Sequence, residues 1–244
     1  MKKVWVVASG KGGTGKSTLV VNLGAALASA GNKVLLIDLN VGLRCLDLYL
    51  GLADRVLFDG MDVMEGNCRP VDAILSCPAV PSLFLLPTSQ SRRDSDFAGT
   101  RLQELCASLV DEFDMILLDC PPGLEPIPAR AATAAFRGLI VASPEPVAMR
   151  DADRLAAEFA AAGVAESYLV VNRFRSDFQQ KGLMSPASEF ADSLGLPLLG
   201  TVPEDDAVGA SVLCGVPAVL RQPDSPAARI FTAMAGRMPG KELL

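Results

Sequence analysis

Near its start the chain reads Gly10-Lys11-Gly12-Gly13-Thr14-Gly15-Lys16-Ser17. This segment follows an apolar run at residues 4–8 and leads into a stretch with apolar residues at helical spacing. A strand, a glycine-rich loop and a helix in this order are the setting of a phosphate-binding loop. The glycines let backbone N–H groups surround a phosphate, and the helix N-terminus adds partial positive charge. The structural alternative is a flexible glycine turn with two solvated lysines.

The polar side chains of this segment each suit a task at a bound nucleotide. In a phosphate-binding loop Lys16 reaches the β- and γ-phosphates, and the Ser17 hydroxyl ligates Mg²⁺. We therefore predict that the whole segment binds nucleotide, through Gly10, Lys11, Gly12, Gly13, Thr14, Gly15, Lys16, Ser17 and Thr18.

The composition limits the class of protein. The 244 residues are half hydrophobic and only 5% aromatic, which fits one well-packed α/β domain over residues 1–244. The net charge is −6 and no dense Lys/Arg run occurs, so nucleic acid is not an expected partner. The six cysteines include no Cys-x-x-Cys pair, so the spacing of zinc and iron–sulfur sites is absent. Histidine, the commonest general base, is also absent.

The N-terminal sequence and the hydropathy predict a cytoplasmic location. Met1-Lys2-Lys3 leads directly into the first predicted strand, without the pattern of a signal peptide. No apolar stretch approaches the roughly 20 residues that a membrane span needs.

The remaining apolar runs predict a doubly wound, mostly parallel sheet with helices on both faces. They are continuous rather than alternating, as in parallel strands that are covered on both sides. Segments with helical periodicity lie between them, and this alternation is typical of the doubly wound class. The predicted strands span residues 4–8, 33–38, 83–86, 115–118, 138–141, 168–171 and 198–202, and the predicted later helices 97–113, 147–162, 186–194, 207–214 and 226–238.

Two aspartates stand where predicted strands end. Asp38 closes the second strand, and Asp119 follows the apolar run at residues 115–118. Ligands of such sheets lie at the carboxyl ends of the strands, and carboxylates there suit Mg²⁺ or its water. We expect Ser17, Asp38 and Asp119 to form the Mg²⁺ environment, with a helix-capping role as the alternative for Asp119.

A second lysine adds a resemblance to a known family. The pattern Lys-Gly-Gly-x-Gly-Lys-Ser, with Lys11 five positions before Lys16, resembles the deviant Walker A motif of the MinD/ParA family of ATPases. Further segments are similar to the MinD branch of this family, in its order and spacing: residues 38–47 with Gly-Leu-Arg-x-Leu-Asp, 86–90, 119–125, Arg-Asp-Ala-Asp-Arg at 150–154, Asn172-Arg173 after a strand, and Val-Pro-Glu-Asp at 202–205.

The resemblance implies an ATP- and Mg²⁺-dependent homodimer and roles for individual residues. Lys11 would reach across the dimer to the partner's phosphates, or would be an ordinary surface lysine. Asn172 would contact the adenine, with Arg173, Pro203, Glu204 and Asp205 around the nucleotide. A division-inhibitor or activator protein would dock at the dimer seam on Arg150, Asp151, Asp153 and Arg154; the alternative for these four residues is a solvated first helical turn whose acids the helix dipole favours.

Two features of the sequence depart from the family pattern, one at a single position and one at the C-terminal end. Asn40 replaces the switch I aspartate that orients the attacking water, so we list Asn40 with Lys11 and Lys16 as the catalytic set and expect slow hydrolysis. The family's MinD branch ends in a basic amphipathic helix, whereas the few residues after Pro239 are too short for an anchor. Binding to the inner face of the membrane is therefore expected only if a tail exists beyond this chain.

The function implied is an ATP-dependent dimerising switch that acts in division-site placement. ATP would join two subunits and hydrolysis would release them. One alternative is an ATP-gated binding module with little hydrolysis, and Asn40 separates the two. Another is a flagellar-number or ParA-like positioning ATPase, since the Gly-Leu-Arg-x-Leu-Asp segment fits the flagellar regulator nearly as well.

Overall fold

The central feature of the fold is a single, mostly parallel sheet. The computed structural model describes residues 3–91, 99–123 and 126–238. In these ranges the sheet has eight strands: β1 (Val4–Ala8), β2 (Val34–Asp38), β3 (Leu75–Ser76), β4 (Leu83–Leu86), β5 (Met115–Asp119), β6 (Arg137–Ala142), β7 (Glu166–Phe174) and β8 (Leu198–Pro203).

The strand order is β3-β4-β2-β5-β1-β6-β7-β8, so the chain starts near the middle of the sheet and winds outward in both directions. Every pairing is parallel except that of the two-residue strand β3 with β4. The predicted doubly wound class is therefore confirmed. This order places the phosphate-binding loop after β1, between the carboxyl ends of β5 and β6.

Helices connect the strands, and several of them are short. The long predicted helices are present, but the periodicity did not indicate the single-turn helices after β2 and β7. Over the described residues the helices are α1 (Lys16–Ser29), α2 (Leu46–Tyr49), a 3₁₀ turn (Ala53–Arg55), α3 (Gly60–Glu65), α4 (Pro70–Ala73), α5 (Gly99–Leu109), α6 (Pro126–Ala132), α7 (Pro146–Ala161), α8 (Ser176–Gln180), α9 (Ala187–Leu194), α10 (Asp206–Cys214), α11 (Ala218–Arg221) and α12 (Pro226–Arg237).

Side chains of β1 alternate between two hydrophobic layers. Val4, Val6 and Ala8 pack into the layer that includes α5, α6 and α7. Trp5 and Val7 pack into the other layer, against α1 and α12. Because both faces are covered, the strand is apolar throughout, which is why it reads as a continuous run. The sheet edge that carries the loops is thereby held rigidly from both sides.

Some predicted boundaries differ from the structure. Strand β7 runs from Glu166 to Phe174 and exceeds the predicted residues 168–171 because polar residues continue its pairing at both ends. Helix α5 ends at Leu109, short of the predicted residue 113, and residues 97–98 of that prediction lie outside the described ranges. The stripe of the last helix, with buried Phe231 and Met234, packs into the core. The predicted tail after Pro239 also lies outside the described ranges.

Candidate nucleotide-binding site

The phosphate loop, residues 10–17, connects β1 to α1 at the sheet edge where polar residues were predicted. Gly15 stands before α1 with φ 82°, in the left-handed region that favours glycine. Asp38 at the end of β2 and Asp119 at the end of β5 are paired neighbours in the sheet. The loop, the helix N-terminus and both carboxylates therefore meet at one place.

Lys16 and Asp119 form a buried ion pair at the centre of the site. The Lys16 Nζ donates to Asp119 Oδ1 at 2.5 Å, and the two side chains are 5% and 0% exposed. Burial alone would lower the pKa of Lys16, but the Asp119 charge outweighs it and the pKa is raised. Lys16 is therefore held as a cation where the phosphates of a nucleotide would lie.

Asp38 organises the loop that follows it rather than pointing freely into the site. Its Oδ1 accepts from the Asn40 N–H, and its Oδ2 accepts from the N–H groups of Cys45 and Leu46 at 3.0 and 3.1 Å. Burial, and then the neighbouring charge of Asp119, raise the pKa of Asp38 to about 6. Asp38 thus fixes the path of residues 40–46 beside the phosphate loop.

Of the three residues predicted for Mg²⁺, Ser17 and Asp119 fit a metal that a nucleotide helps to hold, whereas both carboxylate oxygens of Asp38 accept hydrogen bonds from backbone N–H groups. Asp119 Oδ2 is buried and accepts no hydrogen bond from any described residue. Ser17 lines a cavity of about 250 Å³ together with Lys16 and Asn40. In the described part of the chain no cluster of three or more His, Cys, Asp or Glu side chains could hold a metal alone. Ser17 and Asp119 would supply two oxygens, and phosphate oxygens and water the rest.

Asn40 lies at the start of a tight turn that faces this cavity. Its carbonyl accepts from the N–H groups of Leu43 and Arg44, and Gly42, within this turn, has φ 86°. Asn40 lines the same cavity of about 250 Å³ as Ser17 and Lys16. Position 40 therefore lies beside the phosphate loop.

Asn172 contacts the phosphate loop from β7. Its Nδ2 donates to the Thr14 carbonyl at 2.6 Å, and a Cβ on Gly15 would lie 2.4 Å from the same atom. Position 15 therefore favours glycine because of its positive φ, and a Cβ there would also displace the Asn172 amide from the loop. The predicted adenine-contacting residue is thus buried directly behind the loop.

A larger cavity of about 440 Å³ extends from the loop and suits the base and sugar of a nucleotide. All four residues predicted around the nucleotide, besides Asn172, line it: Arg173, Pro203, Glu204 and Asp205. Arg173 has φ 57° at an irregularity in the β7–β8 pairing, and its guanidinium donates to Gly13 O and to Glu204 Oε1. Tyr49, which the sequence analysis did not select, lines this cavity and the phosphate cavity.

Lys11 lies on the outer side of the loop and is paired differently from Lys16. Its Nζ donates to Glu145 Oε2 at 2.5 Å, and the two side chains are 46% and 54% exposed. Glu145 precedes α7 and was missed, although its position after a predicted strand was a usable signal. Arg175 and Phe178, also missed, line a third cavity of about 380 Å³ next to Lys11.

The four residues predicted for partner binding lie on α7. Arg150, Asp153 and Arg154 are exposed, and Asp151 is half-buried. The alternative placed these residues in the first helical turn, and that placement is wrong, since α7 begins at Pro146 and has no acid in its first turn. The solvent exposure that the alternative expected holds for Arg150, Asp153 and Arg154. In the segment at residues 119–125, Leu124 and Glu125 lie outside the described ranges.

Comparisons with known proteins decide the family. A family model described as ParA, NUBPL iron-transfer P-loop NTPase, matches residues 1–239. The septum site-determining protein MinD of Synechocystis is 38% identical over 243 residues, which cover 100% of this chain and 91% of that protein. The chain belongs to the MinD/ParA family of P-loop ATPases.

Solved structures agree with this membership in the MinD/ParA family. MinD of Pyrococcus horikoshii complexed with Mg-ADP has a TM-score of 0.88 at 31% identity, covering 97% of this chain and 96% of that one. MinD in the MinC:MinD cell division protein complex of Aquifex aeolicus has a TM-score of 0.87 at 34% identity, covering 99% and 97%. In the described residues of this family member, no helix combines the length and the apolar character needed to cross a bilayer.

Proposed function

We propose that this ATPase is a dimerising switch of the MinD type that acts in the placement of the division site. ATP binding would join two subunits, and hydrolysis to ADP and phosphate would separate them. The relatives named above are septum site-determining and cell division proteins, which supports this assignment. The observation that carries it is the pair of lysines in one loop, of which Lys16 is buried and Lys11 is on the outer surface.

Lys11 is suited to an intermolecular task. Its partner in the single subunit is Glu145, and both side chains are about half exposed. An exposed ion pair contributes only about 0–1 kcal/mol, so Lys11 can leave Glu145 at little cost. A phosphate of the partner's nucleotide would offer it a stronger, charge-assisted contact. We therefore assign Lys11 to the contact between two ATP-bound subunits.

Hydrolysis would depend on positions around the terminal phosphate. Lys16 would neutralise charge on the β- and γ-phosphates, and Asn40 would orient the attacking water through its carbonyl oxygen. Mg²⁺ held by Ser17 and Asp119 would add charge neutralisation at the phosphates. The Asn40 amide cannot take the water's proton at neutral pH, so we propose slow turnover and long-lived dimers.

Asn40 also supports a second candidate function, an ATP-gated binding module that dimerises but barely hydrolyses ATP. In both candidates the ATP-bound dimer presents the exposed face of α7 to a partner, through Arg150, Asp153 and Arg154. The MinC:MinD complex of the relative favours a division inhibitor as that partner. The two candidates differ only in how fast the bound ATP is cleaved.

Sedimentation equilibrium tests the switch itself. With Mg·ATP the chain should be dimeric, and with Mg·ADP or no nucleotide it should be monomeric. A control with Lys16→Ala should remain monomeric under all conditions. The proposal fails if the mass of the wild type is the same with ATP and ADP.

A separate measurement tests the cellular task. Deletion of the gene should move division septa away from mid-cell, and the fraction of misplaced septa should be scored by microscopy. Septa that stay in place while the number of flagella changes would support the flagellar alternative instead.

A further inference from the structure

The second turn of helix α7 lies directly on the phosphate loop. A Cβ built on Gly10 would fall 2.2 Å from the Asp151 Cβ and 3.2 Å from both its Cα and its carbonyl carbon. Real Cβ atoms essentially never come within 3.0 Å of a heavy atom outside their own residue and its chain neighbours, so any side chain at position 10 must displace either the loop or the helix. The distance between α7 and the loop is thus set by backbone on one side and the Asp151 Cβ on the other.

The same part of the loop is held at further points. We call residues 9–12 the outer arm. Lys11 of the outer arm is paired with Glu145, which precedes α7. On the other side the Gly123 N–H, from the segment after β5, donates to the Ser9 carbonyl at 2.9 Å. The outer arm is therefore confined between α7 and the segment that follows Asp119.

The inner face of helix α7 is packed against the core, so the helix cannot move inward without disturbing that packing. Ala152 and Leu155 next to Asp151 are 1% and 0% exposed and belong to the core layer beneath the helix. Arg150, Asp153 and Arg154 point outward and are exposed. Asp151 is thus the residue of this segment that joins the outer surface of α7 to the phosphate loop.

We propose that Asp151 is a positioning residue of the nucleotide site, acting through Gly10. Its Cβ sets the distance of the outer arm from α7 and thereby the position of the loop N–H groups that would bind phosphate. A protein that docks on the exposed face of α7 would then act on the loop through the direct contact between Asp151 and Gly10. This second step rests on the proposed function, whereas the positioning of the loop by Asp151 does not.

The test is the affinity for Mg·ADP, which requires neither dimerisation nor a role in division. Gly10→Ala should weaken binding by about tenfold or more, since an added methyl group in a packed contact must displace its neighbours. Gly10→Ala combined with Asp151→Gly should recover most of the loss, because the 2.2 Å contact disappears and only the two at 3.2 Å remain. Calorimetric titration with Mg·ADP measures each constant.

Three control variants test whether the recovery depends on removal of the Asp151 Cβ. Gly10→Ala with Asp151→Ala should not recover, because the alanine keeps its Cβ. Gly10→Ala with Asp153→Gly should not recover either, although it places the same glycine on an exposed position of α7. Gly236→Ala, where a Cβ meets nothing within 4 Å, should bind Mg·ADP as the wild type does.

Urea unfolding of the same variants separates positioning from loss of the fold. A positioning role predicts a larger change in Mg·ADP affinity than in the unfolding midpoint. If Gly10→Ala does not fold, then Asp151→Gly and not Asp153→Gly should restore the unfolding transition. Unchanged affinity in Gly10→Ala, or equal rescue by Asp151→Gly and Asp153→Gly, would overturn the proposal.

Discussion

The two lysines of the phosphate loop form ion pairs of the same length in very different surroundings. Lys16 and Asp119 are 2.5 Å apart and almost fully buried, whereas Lys11 and Glu145 are also 2.5 Å apart but about half exposed. Burial makes the first pair costly to break, because an unpaired charge would remain in the interior. Solvent screens the second pair, which can exchange partners at little cost.

The difference separates the loop into an inner site and the outer arm. In the inner site Lys16 and Asn40 line one cavity, and Asp119 pairs with Lys16. In the outer arm Lys11 pairs with Glu145, which precedes α7, and Gly10 lies against Asp151 of α7. Rigid, buried charges suit nucleotide binding and hydrolysis, and loosely held charges suit assembly. One loop can thereby serve both tasks with separate residues.

The largest effect should come from the inner site. Lys16→Ala should abolish measurable ATP binding, since the phosphates lose their buried cation, and should also destabilise the apo protein. Removal of one partner of a buried pair costs about 3–5 kcal/mol, so urea unfolding should detect it. Lys11→Ala is the matched control and should lower the free energy of unfolding by at most about 1 kcal/mol. Equal loss of stability in the two variants would remove the distinction between the pairs.

A tenfold effect is expected at Asn40. Asn40→Asp should accelerate single-turnover hydrolysis of ATP by about tenfold or more, since general-base assistance is typically about 10²–10⁴-fold and phosphoryl transfer depends more on positioning. The rate is measured at saturating ATP with enzyme in excess. Equal rates for the two proteins would mean that position 40 does not contact the attacking water.

How much of this could be predicted from the sequence depends on the range of the interactions. The strand at Leu83–Leu86 was predicted at its observed bounds because a buried parallel strand is a continuous apolar run. Helix α2 was missed because four residues are too few for periodicity. The antiparallel strand β3 was missed because two residues carry no pattern.

The residues of the site were likewise predictable or not according to how far apart in the sequence their contacts lie. Lys16, Ser17, Asp38 and Asp119 were predictable because a local motif and strand ends place them at one edge. The contact between Gly10 and Asp151 was not predictable, since it joins residues 141 positions apart through the packing of α7 on the loop. The Lys11–Glu145 pair spans 134 positions and depends on the same crossover.

The smallest effect is expected at the outer arm. Glu145→Gln should free Lys11 and strengthen the ATP-dependent dimer by about 1.4-fold to fivefold for each Lys11–Glu145 pair released, which corresponds to the roughly 0.2–1 kcal/mol of an exposed pair. Sedimentation equilibrium at graded protein concentrations gives the dimer constant. Raised salt should reduce the difference between Glu145→Gln and wild type, because salt screens exposed charges. A weaker dimer in Glu145→Gln would mean that Glu145 helps assembly instead of restraining Lys11.

The central claim, that the two lysines have separate tasks, is tested most directly by Lys11→Ala with two readouts on one sample. Nucleotide affinity is measured by calorimetric titration with Mg·ADP, with which the wild type should stay monomeric, and dimerisation with Mg·ATP by sedimentation equilibrium. We predict a Mg·ADP affinity within about threefold of wild type, as expected for loss of an exposed charge, together with loss of the ATP-dependent dimer. An ATP-dependent dimer as strong as that of the wild type would contradict the account.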